Sequence, residues 1–264
     1  MSEAAASLFR LGISLPCTEA AALHDIQDIP ECFEVLELSG EMLSYALNQR
    51  SEDPLLAEFE EINFRNILPA NLTDLLTSAD GNIVNEYKKQ LRELMAQAQE
   101  CGCEYVSIDP DWETLFDSAE RRKVLDDVLR STAGDRANNK LVLALAVRIP
   151  GAGVQDPVKS LEFLRSVCNY NVKLVLNINV HELLKNDIDW QEVLKNFRFD
   201  TAAVRFCYPS ELGNKLLYKH IEPFIEALKK WKQETTIYIA PSGRADFTEI
   251  AGMLQAISPE NDQQ

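Results

Sequence analysis

Lys140–Val147 reads KLVLALAV, Val172–Asn179 reads VKLVLNIN, Thr201–Tyr208 reads TAAVRFCY and Thr235–Pro241 reads TTIYIAP. Each is a short apolar run, and each is followed by a stretch that reads as helix, so the four form a regular strand–helix alternation. Upstream the same beat begins with FRLGISL from Phe9, CFEVLEL from Cys32, INFRNIL from Ile62 and CEYVSID from Cys103. Strand starts recur about every thirty residues, the length one strand–helix unit needs, and eight units make a (β/α)8 TIM barrel. Helices alternating with strands force crossover connections, and hence a mostly parallel sheet. The fold class expected is therefore α/β, a parallel eight-stranded barrel with outer helices.

The 264 residues suit one such barrel, and no Gly/Ser/Pro-rich linker interrupts the alternation, so residues 1–264 are read as a single domain with a frayed polar tail at 258–264. The net charge of −16 argues against nucleic acid or an anionic membrane as the main partner. No window approaches the apolar length of a membrane span. The start MSEAAASLFRLGISL lacks the basic and apolar regions of a signal peptide. Six cysteines, scattered through a chain that needs no staples, read as free thiols in a reducing cytoplasm. Cys101-Gly102-Cys103 is too tight for a zinc pair, and Gly102 reads as a helix C-cap.

Helices are expected over Thr18 to Ile26, two pieces within Glu41 to Glu61 with Pro54 opening the second, Asn82 to Cys101, Ser118 to Arg130, Asp156 to Tyr170, Trp190 to Phe199, Glu211 to Trp231 and Asp246 to Ile257. The clearest is Asn82 to Cys101, with Ile83, Tyr87, Leu91, Leu94, Met95 and Ala98 on one stripe.

A TIM barrel builds its active site from the C-terminal tips of its strands. The tips here carry Ser14; Glu37 and Ser39; Arg65 and Asn66; Asp109 with Asp111-Trp112; Arg148; Asn177, Asn179 and His181; Arg205, Cys207 and Tyr208; and Ser242 with Arg244. Four arginines at strand tips in an acidic protein suggest an anion site, because the planar guanidinium matches carboxylate and phosphate oxygens. Arg244 is best placed, next to Ser242 in the loop after the last strand, where barrels often hold phosphate. Whether Arg65 or Asn66 faces inward is open.

Glu37 and Asp109 are candidate acid/base groups, although an ion pair between them and a mouth arginine is the stronger reading. His181 is a candidate base, with helix capping as its plainer role. Trp112 could stack on a sugar ring or merely cover the barrel top. Cys207 reads as a small core residue, since no nearby base would activate it.

Three stretches carry a family resemblance: FEVLEL (33–38), EYKKQLRELMAQAQECGCEYVSIDP (86–110) and VKLVLNINVHEL (172–183). They resemble the second strand, the third helix with fourth strand, and the sixth strand of the xylose-isomerase-like TIM-barrel superfamily of sugar isomerases, sugar-phosphate isomerases and epimerases, and DNA-repair endonucleases. That resemblance implies a divalent metal held by Glu on strand five, Asp or Glu on strand six, His near strand seven and Glu on strand eight. This chain departs from it. Strand five reads LALAVR without an acid, Asn177 stands in place of the Asp, and His181 follows four residues on rather than three. Strand seven has no His, and Ala240 replaces the Glu.

Neutral amides and alanine do not provide the charged oxygens a hard divalent cation needs, so a divalent metal is disfavoured and no other cofactor is expected. The function read from the sequence is that of a divergent sugar-phosphate isomerase/epimerase-like protein binding a small anionic carbohydrate. Glu37, Asp109 and His181 are its catalytic candidates, and Arg148, Asn177, Asn179, Arg205, Arg244, Ser242 and Trp112 its binding candidates. The alternative is a non-catalytic ligand-binding or interaction protein on the same fold. Homodimerisation is left open.

Overall fold

The computed structural model describes residues 9–15, 17–24, 29, 31–67, 75, 80–133, 141–149, 157–167, 171–179, 189–208, 214–231 and 234–241. In chain order the elements are β1 (Phe9–Ser14), α1 (Ala20–His24), β2 (Val35–Ser39), α2 (Leu43–Gln49), α3 (Pro54–Ala57), β3 (Glu61–Arg65), α4 (Gly81–Glu100), β4 (Tyr105–Ile108), α5 (Trp112–Phe116) and α6 (Ala119–Ala133). They continue with β5 (Val142–Ile149), α7 (Pro157–Val167), β6 (Val172–Asn179), α8 (Trp190–Lys195), β7 (Thr201–Tyr208), α9 (Asn214–Lys229) and β8 (Thr235–Pro241). The eight strands pair in parallel, in sequence order, and β1 returns to β8 to close the barrel. The expected fold class is therefore found.

Local chemistry sets the helix ends. Asp53 caps α3, accepting from the Leu55 and Leu56 amides at 2.9 and 3.3 Å, and Pro54 opens the helix as expected. Asp80 caps α4 through the Asn82 amide at 2.8 Å, and Gly102, at φ +77°, ends that helix in the left-handed region. Tyr87, Leu91, Met95 and Ala98 are the buried stripe of α4; Ile83, expected there, is 49% exposed in the first turn. Cys17, Cys32, Cys101, Cys103 and Cys207 are free thiols, and Cys168 lies outside the described residues. So does the helix expected from Asp246 to Ile257. Among the described residues no helix is long and apolar enough to cross a membrane.

Strand alternation separates two cores. The larger packs outward strand residues such as Leu36, Phe64, Leu145, Leu176 and Val204 beneath the helices. The smaller fills the barrel axis with Val35, Tyr105, Ala144, Val175, Ala203 and Tyr238. Gly12 makes room for the Tyr238 ring, since a Cβ there would lie 2.6 Å from two ring carbons and 3.1 Å from the Val35 carbonyl oxygen. Near the N-terminal ends of the strands, Arg10 ties down Glu61 at 2.7 Å, with Glu104 at 3.5 Å, Glu34 at 3.7 Å and Glu234 at 3.9 Å around it.

Candidate functional site

The inward set of each strand follows from the register. Glu37 lies level with Ser14 and Asn63, Ser39 with Arg65, and Ser107 with Ala144. Arg148 lies level with Asn177, which lies level with Arg205, and Arg205 with Tyr238. Arg65 therefore shares the inward parity of Glu37 and Asn63. Asn66, at φ +51°, turns the chain out of β3, a conformation asparagine tolerates better than most residues.

Glu37 is fully buried and is held from four directions. Arg205 grips it with a fork, Nε to Oε2 at 2.8 Å and Nη2 to Oε1 at 2.5 Å. The Tyr105 hydroxyl donates to Oε1 at 2.7 Å, and the Ser14 hydroxyl donates to Oε2. These four bonds use the acceptor capacity of a carboxylate. Burial pushes the Glu37 carboxyl up, but the Arg205 guanidinium, with help from Arg65 and the Ser14 hydroxyl, outweighs it and holds the group below its ordinary value. Glu37 is thus a saturated anion and has no free lone pair for proton abstraction. Of the two roles read for it, the geometry is that of the ion pair.

Arg205, 4% exposed, is equally committed. Besides Glu37 it donates through Nη1 to Asn177 Oδ1 at 2.6 Å and, at a longer 3.4 Å, through Nη2 to Ser107 Oγ. Burial works against its charge, and the Glu37 carboxylate more than compensates, so its affinity for the proton is raised. One layer deeper, Asn63 donates to the Tyr238 hydroxyl at 2.9 Å and to Glu61, while its Oδ1 accepts from the Glu104 and Tyr105 amides at 3.0 and 3.1 Å. Tyr105 and Tyr238 meet edge to face at 6.2 Å. The axis is thus plugged by a closed polar network beneath the mouth.

Arg148 and Asp109 are exposed, Arg65 and Asn177 are half-buried and Asn179 is exposed. Among the described residues neither Arg65 nor Arg148 makes a hydrogen bond or ion pair through its guanidinium. Asp109 reaches solvent yet stands in a recess of about 290 Å3 lined also by Pro110, Asp111, Trp112 and Arg148. Loss of surrounding water there pushes its carboxyl up, and Arg148, Arg205 and Arg65 pull it back only in part. Burial likewise pushes the Cys207 thiol up, against the same three arginines, so it is no ready nucleophile.

Trp112 is 5% exposed; its Nε1–H donates to the Ala146 carbonyl oxygen at 2.7 Å, its ring stacks on Phe116 at 5.5 Å, and Phe163 meets it edge-on. It forms part of the recess wall and is packed into the core beneath the helices. His181, Ser242 and Arg244 lie outside the described residues. The sequence did not single out Asn63, Tyr105, Ser107 or Tyr238. Three of them, Asn63, Ser107 and Tyr238, lie two residues before the tip residues Arg65, Asp109 and Ala240, so counting back by strand parity would have found them.

The chain superposes on 3-keto-D-glucoside 4-epimerase YcjR from E. coli, in its apo form, with a TM-score of 0.64 at 12% identity, covering 94% of this chain and 99% of that one. On D-psicose 3-epimerase in the presence of D-fructose the TM-score is 0.66 at 12% identity, covering 93% and 89%. On a xylose isomerase domain protein from Alicyclobacillus acidocaldarius it is 0.62 at 12% identity, covering 94% and 98%. The chain shares its eight-stranded barrel fold with these three structures. No family model and no curated protein matches the sequence.

Among the described residues, the side chains at the tips of β5 to β8 do not suit a hard divalent cation. The inward tip residues on β5 to β8 are Ala146 and Arg148, Asn177 and Asn179, Arg205 and Cys207, and Tyr238 and Ala240. They include no carboxylate; two are permanent cations, and the Asn177 oxygen is already engaged by Arg205. Among the described residues no group of three His, Cys, Asp or Glu comes together as a metal site.

Proposed function

We propose that this chain binds a small anionic carbohydrate at the C-terminal mouth of the barrel, as a sugar isomerase/epimerase-like protein that does without the metal-dependent chemistry of that fold. The observation carrying this reading is the Glu37–Arg205–Asn177 network. In it Glu37 and Arg205 neutralise and saturate each other, which among the described residues leaves Arg148 and Arg65 as the mouth's available positive charges. The neighbours act on sugars by name, a 3-keto-D-glucoside and D-psicose among them, which supports a carbohydrate as the ligand class. The net charge of −16 speaks against nucleic acid.

Thermal unfolding tests it. Sugar phosphates, aldonates and uronates should raise the melting temperature while uncharged sugars and Mn2+ alone do not; a ligand at about one hundred times its Kd adds about 2.7 kcal/mol. Arg148→Gln should remove the response. Stabilisation by Mn2+ without sugar, or an unchanged anion response in Arg148→Gln, would overturn the reading.

One observation favours retained catalysis. Asp109 is a mouth carboxylate whose carboxyl is pushed up by loss of surrounding water, beside Arg148 in the same recess, an arrangement suited to moving a proton next to a carbonyl. On this second reading, a bound ligand exchanges a carbon-bound hydrogen with deuterated solvent, and Asp109→Asn stops the exchange. Absence of exchange with every ligand that stabilises the protein leaves the binding function alone.

A further inference from the structure

The charge balance of the recess between the ends of β4 and β5 narrows the ligand class. Its wall carries one guanidinium, Arg148, and two carboxylates, Asp109 and Asp111. Asp111 is fixed in place, accepting from the Thr114 amide at 3.1 Å and the Thr114 hydroxyl at 2.7 Å, so it stays on the wall. Arg65 adds a second cation one strand away on β3, while Glu37 and Arg205 cancel beneath it. With both aspartates ionised, the four groups around the recess, Arg148, Arg65, Asp109 and Asp111, sum to zero.

Among the described residues, a phosphate dianion brought here would face two carboxylates with no net positive charge to receive it. A carboxylate brings one negative charge, and its planar pair of oxygens matches the guanidinium fork. Carboxylates on the wall are also acceptors only, the chemistry that takes hydroxyl donors from a sugar. The volume of about 290 Å3 lies at the lower edge of small-molecule pockets and suits one monosaccharide-sized ligand.

We infer that this recess selects sugar acids over sugar phosphates, with Arg148 gripping the ligand carboxylate and Asp109 and Asp111 accepting its hydroxyl groups. The inference rests on the reading that the mouth binds an anionic carbohydrate, and it goes on to fix which anion.

Titration calorimetry with D-gluconate, D-glucuronate and D-galacturonate against D-glucose 6-phosphate and D-fructose 6-phosphate tests it. A sugar acid should bind the wild-type protein on the order of tenfold tighter than either phosphate. Arg148→Lys, which keeps the charge and loses the fork, should weaken the acid by about tenfold and the phosphates by no more than about twofold. Asp109→Asn with Asp111→Asn, asparagine being able to keep the helix cap, should narrow the preference. Equal or tighter binding of a sugar phosphate by the wild-type protein overturns the inference and leaves the anion-binding function standing. Failure of all five anions to bind overturns both.

Discussion

Arg205→Ala removes one partner of a pair whose other member has no access to water. Glu37 would keep only the Tyr105 and Ser14 hydroxyls, and its charge would remain in the barrel axis without a hydrogen-bonded counter-ion, Arg65 acting only from a distance. Breaking a buried pair on one side costs about 3–5 kcal/mol, and for a chain of this size that lowers the melting temperature on the order of 10 °C. Replacing both partners, Glu37→Leu with Arg205→Met, should recover most of the loss, because well-packed apolar groups often match or exceed a buried ion pair.

The pH dependence gives a second check. In the wild-type protein Glu37 is held below its ordinary value, so its contribution is present above the unfolded carboxylate range and is lost as pH falls through the folded value. Without Arg205, burial dominates and raises the carboxyl above its unfolded value. The stability deficit should then be largest near neutrality and shrink as acid protonates Glu37. Urea denaturation followed by circular dichroism, from near-neutral to mildly acidic pH, measures both effects. A loss below about 1 kcal/mol at neutral pH, or a double variant no more stable than Arg205→Ala, would refute the account of this pair as a saturated, desolvated unit.

Two further perturbations address the axis of the barrel. Gly12→Ala should destabilise by about 1–3 kcal/mol, because its Cβ would lie 2.6 Å from ring carbons of the fully buried Tyr238; an unchanged melting curve would show that the ring has room to move. Alkaline titration of tyrosine absorbance should leave Tyr87, Tyr105 and Tyr238, of the seven tyrosines, protonated until the protein unfolds. Burial pushes all three up, and the Glu37 carboxylate adds to it at Tyr105 and Tyr238. Seven tyrosines ionising together near their ordinary value would contradict this.

The strands were legible because parallel barrel strands covered on both faces read as near-continuous apolar runs, and their spacing fixed the closure. Element ends drifted by a few residues: β3 starts at Glu61 rather than Ile62, and α8 stops at Lys195, short of the expected Phe199. The short helix α5, Trp112–Phe116, was not among the expected helices, since five residues give no usable period.

At the site, the residue types at the tips were legible and their partnerships were not. Glu37 and Arg205 stand 168 residues apart, and nothing local to either says which of four arginines the acid selects. Parity at β3 was likewise undecided between Arg65 and Asn66 until the backbone turned at positive φ. What could be read was that the strand sequences β5 to β8 carry no carboxylate, because that holds in any register.

The four-way grip on Glu37 also constrains how this interior can change over generations. A codon change at Arg205 strands an anion, one at Glu37 strands a cation, and either lesion precedes any new function. Rewriting the axis therefore requires two positions in distant parts of the gene to move nearly together. Drift should instead concentrate on the rim, where Arg148, Asp109 and Asn179 meet solvent and can change one residue at a time without endangering the barrel beneath.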